Sequence, residues 1–178
     1  MYDPTHHHRR SIRLNGYDYA QAGFYFITLC CQDRARLFGQ IIDGKMILND
    51  AGKIIEKWYY EIAHKFPDKK CHAMVIMPDH FHCIVETIAP AEQPLENEHA
   101  NCDEPAGSSQ RGSPVGRVVQ WFKTMSTNEY IRGVKNLGWT PFNGRLWQRN
   151  YYEHIIRNRA SYERISKYII DNPKKWQG

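Results

Sequence analysis

The chain has no cysteine framework. Its five cysteines are odd in number and none sits in a Cys-x-x-Cys pair, which excludes a disulfide-stapled fold and a zinc ribbon. Cys30, Cys31 and Cys83 stand in apolar runs and read as small core residues. No stretch approaches 18 consecutive apolar residues, so no membrane-spanning helix is expected. The opening Met1-Tyr2-Asp3-Pro4 lacks the basic-then-apolar layout of a secretion signal, and the expected location is the cytoplasm. His6, His7 and His8 precede an Arg pair and read as a native tail.

Acidic residues are scarce in the second half. Between Pro114 and Gly178 stand twelve Lys and Arg against four Asp and Glu. The formal net charge of +5 hides this, because residues 89–113 carry five acidic side chains against Arg111 alone. The rest of the chain holds 23 basic and 14 acidic residues, a balance that suits a polyanionic partner as well as a plain solubilising surface. Residues 89–113 are rich in Pro, Glu, Gly and Ser, with Leu95 their one large aliphatic side chain, and read as a mobile acidic insertion.

With 178 residues, one domain spanning 1–178 is expected. Residues 23–31 (GFYFITLCC) are aromatic and β-branched and predict a buried strand. Residues 37–48 predict a hairpin about Asp43-Gly44, a strong turn dipeptide. Asn49 or Asp50 caps a helix running to about Phe66, with Ile54, Ile55, Trp58, Ile62 and Phe66 at helical spacing. Strands follow at 71–77 and 81–88, then a helix at 115–133, a strand at 151–156 and a helix at 161–170 that Asn172-Pro173 ends. Apart from the hairpin, this is the split βαβ order of an α+β ferredoxin-like sandwich: an antiparallel sheet with two helices on one face and a trailing C-terminal helix. The second face is left for a ligand or for that helix.

Met77-Pro78-Asp79-His80-Phe81-His82-Cys83-Ile84-Val85 is the most informative stretch. On a strand, His80 and His82 share one face while Phe81, Cys83 and Val85 point to the other, into the core. Two imidazoles side by side make a bidentate metal platform, although the same spacing also suits two histidines with no such role. On the last helix Arg164, Tyr168 and Asn172 recur at intervals of four and share one stripe. Tyr168 lies beside Ile165 and Ile169, so packing alone would also account for it.

The Met-Pro-Asp-His-x-His stretch resembles the HUH motif of the single-tyrosine transposases. Residues 146–158, with Trp147-Gln148 and Glu153-His154-Ile155-Ile156-Arg157, resemble the corresponding segment of the REP-associated tyrosine transposases. Tyr168-Ile169-Ile170-Asp171-Asn172-Pro173, followed by Trp176, is similar to the end of that branch. The resemblance implies a metal-dependent single-strand DNA endonuclease and strand transferase. It casts His80 and His82 as metal ligands, Tyr168 as the nucleophile and Asn172 as the third ligand. It further implies Mg²⁺ or Mn²⁺ as cofactor, a 5′-phosphotyrosine intermediate, and single-stranded DNA with REP-like hairpins as partner, bound by a monomer or a homodimer. Asn172 departs from other single-tyrosine transposases, which carry Gln there, and Pro173 is expected to disfavour helical geometry at Asn172.

Arg164, Arg149, Arg157 and Lys123 are the expected contacts to DNA phosphates, and Trp121, Trp139 and Trp147 are candidate stacking platforms that equally suit a core. Tyr162, six residues before Tyr168, is the rival nucleophile. His154 is a candidate for proton transfer, or for a polar contact holding the Trp147-Gln148 loop. Three other functions fit parts of the pattern: a non-catalytic single-strand binding module, a replication initiator or relaxase, and a metal-dependent hydrolase without a covalent intermediate. No aromatic-Gly signature of RNA-recognition strands is present.

Overall fold

The computed structural model describes residues 21–88 and 114–176. The acidic segment 89–113 and the histidine tail lie outside the described residues. Strand β1 (Gly23–Cys30) leads through a short 3-10 turn (Gln32–Arg34) into the hairpin β2 (Gly39–Ile42) and β3 (Lys45–Leu48). Helix α1 (Asp50–Lys65), strands β4 (Lys69–Met77) and β5 (His80–Thr87), helix α2 (Pro114–Leu137), strand β6 (Tyr152–Ile156) and helix α3 (Arg159–Asp171) complete the order.

The main sheet has the order β4-β5-β1-β6, antiparallel at each junction, as expected for the split βαβ arrangement. Alternation sorts its two faces. Tyr25, Ile27 and Leu29 of β1 and Phe81, Cys83 and Val85 of β5 are buried beneath α1 and α2, with Ile55, Tyr59, Ile62, Val118 and Phe122 opposite them. Each such side chain, removed from water, contributes about 1.5–3 kcal/mol. Phe26, Ile84 and Ile156 face the other way and pack against Ile169, Ile165 and Tyr162 of α3. The trailing helix therefore covers the second face.

Local chemistry explains the boundaries. Asn49 Oδ1 accepts from the Gly52 N–H at 2.9 Å and Asn158 Oδ1 from the Ser161 N–H at 2.9 Å, capping α1 and α3. Asp43 (φ 50°) and Gly44 (φ 69°) both take positive φ, the geometry that joins two twisted strands by two residues.

Several expectations need correction. Helix α2 continues past Gly133 to Leu137, and β4 starts at Lys69 with a bulge between Cys71 and Met74. Asn172 keeps right-handed helical angles (φ −57°, ψ −45°), because Pro173 opens a 3-10 turn where its missing N–H costs nothing. Cys31 and Cys83 are core residues, but Cys30 is half-buried and pairs with His80 across the ladder, on the face toward α3. Trp147 is 4% exposed and donates from Nε1 to Ser126 Oγ at 3.0 Å; Trp121 packs on Trp58 and Phe66, and Trp139 on Tyr130. All three tryptophans are packing residues. Among the described residues, no helix is long and apolar enough to cross a membrane.

Candidate active site

Strand β5 begins at the tight link Pro78-Asp79, so its first inward and outward positions are fixed by where that link joins β4. His80 and His82 fall on the α3 face, as their spacing predicts, with ring centroids 4.7 Å apart. Each is only 6% exposed, so the pair is buried. Register places Cys30 opposite His80 and Thr28 opposite His82.

Each imidazole is oriented through Nδ1. His80 Nδ1 meets Asp79 Oδ1 at 2.5 Å, and Asp79 Oδ2 in turn meets Arg34 Nε at 3.0 Å. His82 Nδ1 meets Thr28 Oγ1 at 2.7 Å, and its ring stacks on Phe26 with centroids 5.4 Å apart. Burial lowers the pKa of both groups. For His80 the Asp79 carboxylate opposes that pull, whereas His82, which also feels the charges of His80 and Arg34, is brought down to about 3. Both rings are therefore neutral near pH 7, with a lone pair left for Nε2 if Nδ1 carries the proton. That is the state in which histidine binds a metal, and an Nδ1 partner on carboxylate or hydroxyl is what holds a ligating ring in place. The donor set fits a divalent ion on the two Nε2 atoms.

Helix α3 brings the tyrosine. Ile165 and Ile169 bury one stripe on the sheet, and Tyr168, 43% exposed, reaches over its edge. Its hydroxyl lies 3.4 Å from His82 Nε2, and its ring meets those of His82 (5.4 Å) and Phe26 (6.1 Å) edge-on. Asn172 follows one turn later, where the helix ends, and its side chain makes no capping hydrogen bond to the 3-10 turn that follows. No group of three or more His, Cys, Asp or Glu side chains converges on a metal position among the described residues. Trp176 closes one side, its ring 5.7 Å from that of His80, with the Arg36 guanidinium 5.9 Å above it.

The predicted DNA contacts divide. Arg149, Arg157 and Arg164 are exposed, Arg164 one turn before Tyr168. Lys123 is not a free cation: its ammonium donates to the carbonyl oxygens of Gln148, Arg149 and Asn150 at 2.8, 3.3 and 3.4 Å, and burial lowers its pKa to about 8. It thus holds the Trp147-Gln148 loop, a role considered above for His154, which is instead exposed on β6 opposite Phe26. Tyr162 bonds to His72, at the far end of α3 from the His80–His82 pair.

Sequence reasoning missed Thr28, Asp79 and Arg34. Asp79 stood in plain view inside the motif. Thr28 is visible only once the β1–β5 register is known. Arg34 reaches the site because Asp33 and Arg34 both adopt positive φ (55° and 53°), which neither residue type announces.

No family model matches the chain. It is 39% identical over 183 residues to an uncharacterized protein of Haemophilus influenzae, covering 99% of this chain and 94% of that one. A second protein of that organism, provisionally named a REP-associated tyrosine transposase, is 23% identical over 158 residues, covering 89% of this chain and 74% of that one. Among solved structures, a REP-associated tyrosine transposase bound to a REP hairpin superposes with a TM-score of 0.55 at 18% identity, covering 86% of this chain and 67% of that chain. The chain thus belongs to one family with the uncharacterized Haemophilus influenzae protein, and its fold is that of a REP-associated tyrosine transposase.

Proposed function

We propose that this protein is a transposase-type enzyme that cuts and rejoins single-stranded DNA through Tyr168, with His80 and His82 holding a divalent cation. The observation that carries the reading is the 3.4 Å approach of the Tyr168 hydroxyl to His82 Nε2, beside two imidazoles that are each oriented through Nδ1. A packing tyrosine has no need of such a setting.

A phenol has an ordinary pKa of about 10 and is a weak nucleophile near neutrality. A bound Mg²⁺ or Mn²⁺ would supply Lewis-acid polarisation of a phosphate oxygen. Tyr168 Oη attacks phosphorus in line; the Oη–P bond forms as the P–O3′ bond breaks. The products are a 5′-phosphotyrosine and a free 3′-hydroxyl, the phenolic proton balancing the one gained by the 3′-oxygen. A second 3′-hydroxyl reverses the step and joins a new strand, so no nucleotide cofactor is consumed. Asn172 is the proposed third ligand, since its helix end lies one turn from Tyr168.

The DNA reading rests on the basic half of the chain and on the structural relative bound to a REP hairpin. Exposed Arg149, Arg157 and Arg164 are proposed to follow phosphates. A groove of about 460 Å³ between α2 and residues 144–149, lined by Gln120, Thr124, Arg145 and Arg149, is a further surface that the strand is proposed to follow. REP-like hairpins with single-stranded flanks are the proposed substrate.

The test is Tyr168→Phe, which keeps the ring and deletes the nucleophile. Hairpin DNA with a labelled single-stranded flank should be cut by the wild type with Mn²⁺, leaving a covalent adduct that maps to Tyr168. The variant should lose cleavage and adduct yet bind the same DNA with similar affinity and salt dependence. Normal cleavage by Tyr168→Phe would end the covalent reading in favour of hydrolysis. Binding by both proteins with cleavage by neither would favour the non-catalytic module.

A further inference from the structure

At the other end of α3 from Tyr168, a cavity of about 330 Å³ opens between the start of β1, the end of β6 and the first turn of the helix. That volume is in the range of small-molecule sites, roughly 300–1,000 Å³. Phe24, His72 and Tyr162 line it with three rings set edge-on to one another, at 5.2, 5.1 and 5.8 Å between centroids. Ile156 completes the apolar part.

The polar atoms on these walls are already engaged. Tyr162 OH meets His72 Nδ1 at 3.1 Å, and His72 Nε2 meets Glu86 Oε2 at 2.8 Å. The bulge in β4 that aims His72 at α3 is itself fixed, because the His72 N–H donates to the Tyr59 hydroxyl at 2.8 Å. The walls therefore offer ring faces and edges rather than spare donors or acceptors. The mouth is the reverse. Asn158 uses its side-chain oxygen as the helix cap, which leaves its amide N–H₂ as a donor. Arg157 makes no ion pair among the described residues; Arg159 gives only its Nε to Glu163, at 2.8 Å, and keeps its terminal N–H groups. The two carboxylates nearby, Glu86 and Glu163, are each paired.

A ring-lined cavity behind a mouth that presents donors fits a planar aromatic ring attached to an anion. We propose that this cavity takes one unpaired nucleotide of the DNA strand, its base among Phe24, His72 and Tyr162 and its phosphate against Arg157 and Arg159. The inference rests on the single-strand DNA function proposed above. With the wall polar groups engaged, the base is held by its ring rather than by its edge, so occupancy is tolerant of base identity. Tyr162 and Tyr168 are six residues apart, about 9 Å along the helix. The cavity thus lies within a few nucleotides' reach of a phosphate at Tyr168. The same network places the Tyr162 ring in the cavity wall with its hydroxyl engaged by His72.

The experiment uses the Tyr168→Phe protein, so that cleavage does not intervene, and a REP-like hairpin with single-stranded flanks. Each flanking position is replaced in turn by an abasic site and, separately, by 5-iododeoxyuridine. One position should weaken binding about tenfold when abasic, while exchange among the four bases there has little effect. Iododeoxyuridine at that position should photocrosslink to Phe24, His72 or Tyr162, and Arg157→Gln should reduce that crosslink. Tight binding with a flat abasic scan and no crosslink to these rings would overturn the pocket while leaving the DNA function standing. Absence of binding to any such DNA would overturn both.

Discussion

Tyr59 links two neighbouring strands of the sheet, β4 and β5, through one oxygen. It belongs to α1 and is fully buried, yet its hydroxyl donates to the Ile84 carbonyl at 2.8 Å and accepts from the His72 N–H at 2.8 Å, filling the break that the β4 bulge makes in the ladder. Burial pushes its phenol pKa well up, so the hydroxyl stays protonated as both bonds require. Tyr59→Phe keeps the ring but leaves a buried N–H and C=O short of partners, at an expected cost of about 1–3 kcal/mol. Urea unfolding should show that loss with an unchanged slope, and a variant as stable as the wild type would mean that the bulge finds other partners. Asp79 is the corresponding residue for the proposed metal site. Asp79→Asn keeps an acceptor for His80 Nδ1 but removes the charge that faces both His80 and Arg34. Calorimetric titration with Mn²⁺ should show affinity down by about 10–100-fold, and an unchanged affinity would separate Asp79 from the site.

At the scale of elements, the strands and helices were legible where one physical rule dominated. Alternation on β5 assigned the facing of His80 and His82 correctly, and of the α3 residues spaced by four, Tyr168 reaches His82. The rule failed where a distant partner decides the local geometry. Gly133 looked like a helix end, yet α2 runs on because Trp139 folds back over that position: a Cβ built there would sit 2.1 Å from Trp139 Cε3. Asn172 stayed helical because the Pro173 ring fits the start of a 3-10 turn. The site's orienting groups, Thr28 and Arg34, depend on strand register and on a turn with positive φ, and single-residue reading supplies neither. Gly133 offers a clear test. In an exposed helix Gly→Ala stabilises by about 1 kcal/mol, whereas here the added methyl must displace Trp139 from Tyr130 and is expected to cost about 1–3 kcal/mol. A more stable Gly133→Ala protein would show that Trp139 moves aside freely.

Over the whole molecule, the placement of α3 determines how many chains make one active site. Its Ile169 is buried and its Ile165 half-buried against the sheet of the same chain, along with Phe26 and Ile84, and this packing carries Tyr168 to His82 without help from a partner. The prediction is a complete site within each subunit, whether the protein acts as a monomer or as a homodimer. Two inactive proteins make the test: Tyr168→Phe, which lacks the nucleophile, and His82→Gln, which lacks one proposed ligand while filling most of the buried space. Each must first show a wild-type-like melting curve and bind the hairpin DNA. Mixed in equal amounts and incubated long enough to exchange subunits, they should remain as inactive as either alone, because every subunit carries a broken half of its own site. Recovery of cleavage with a covalent adduct on the His82→Gln chain would mean that the tyrosine of one subunit serves the histidines of another. The α3 packing seen here would then be one of two positions of that helix, and the contact between Tyr168 and His82 would be a resting arrangement.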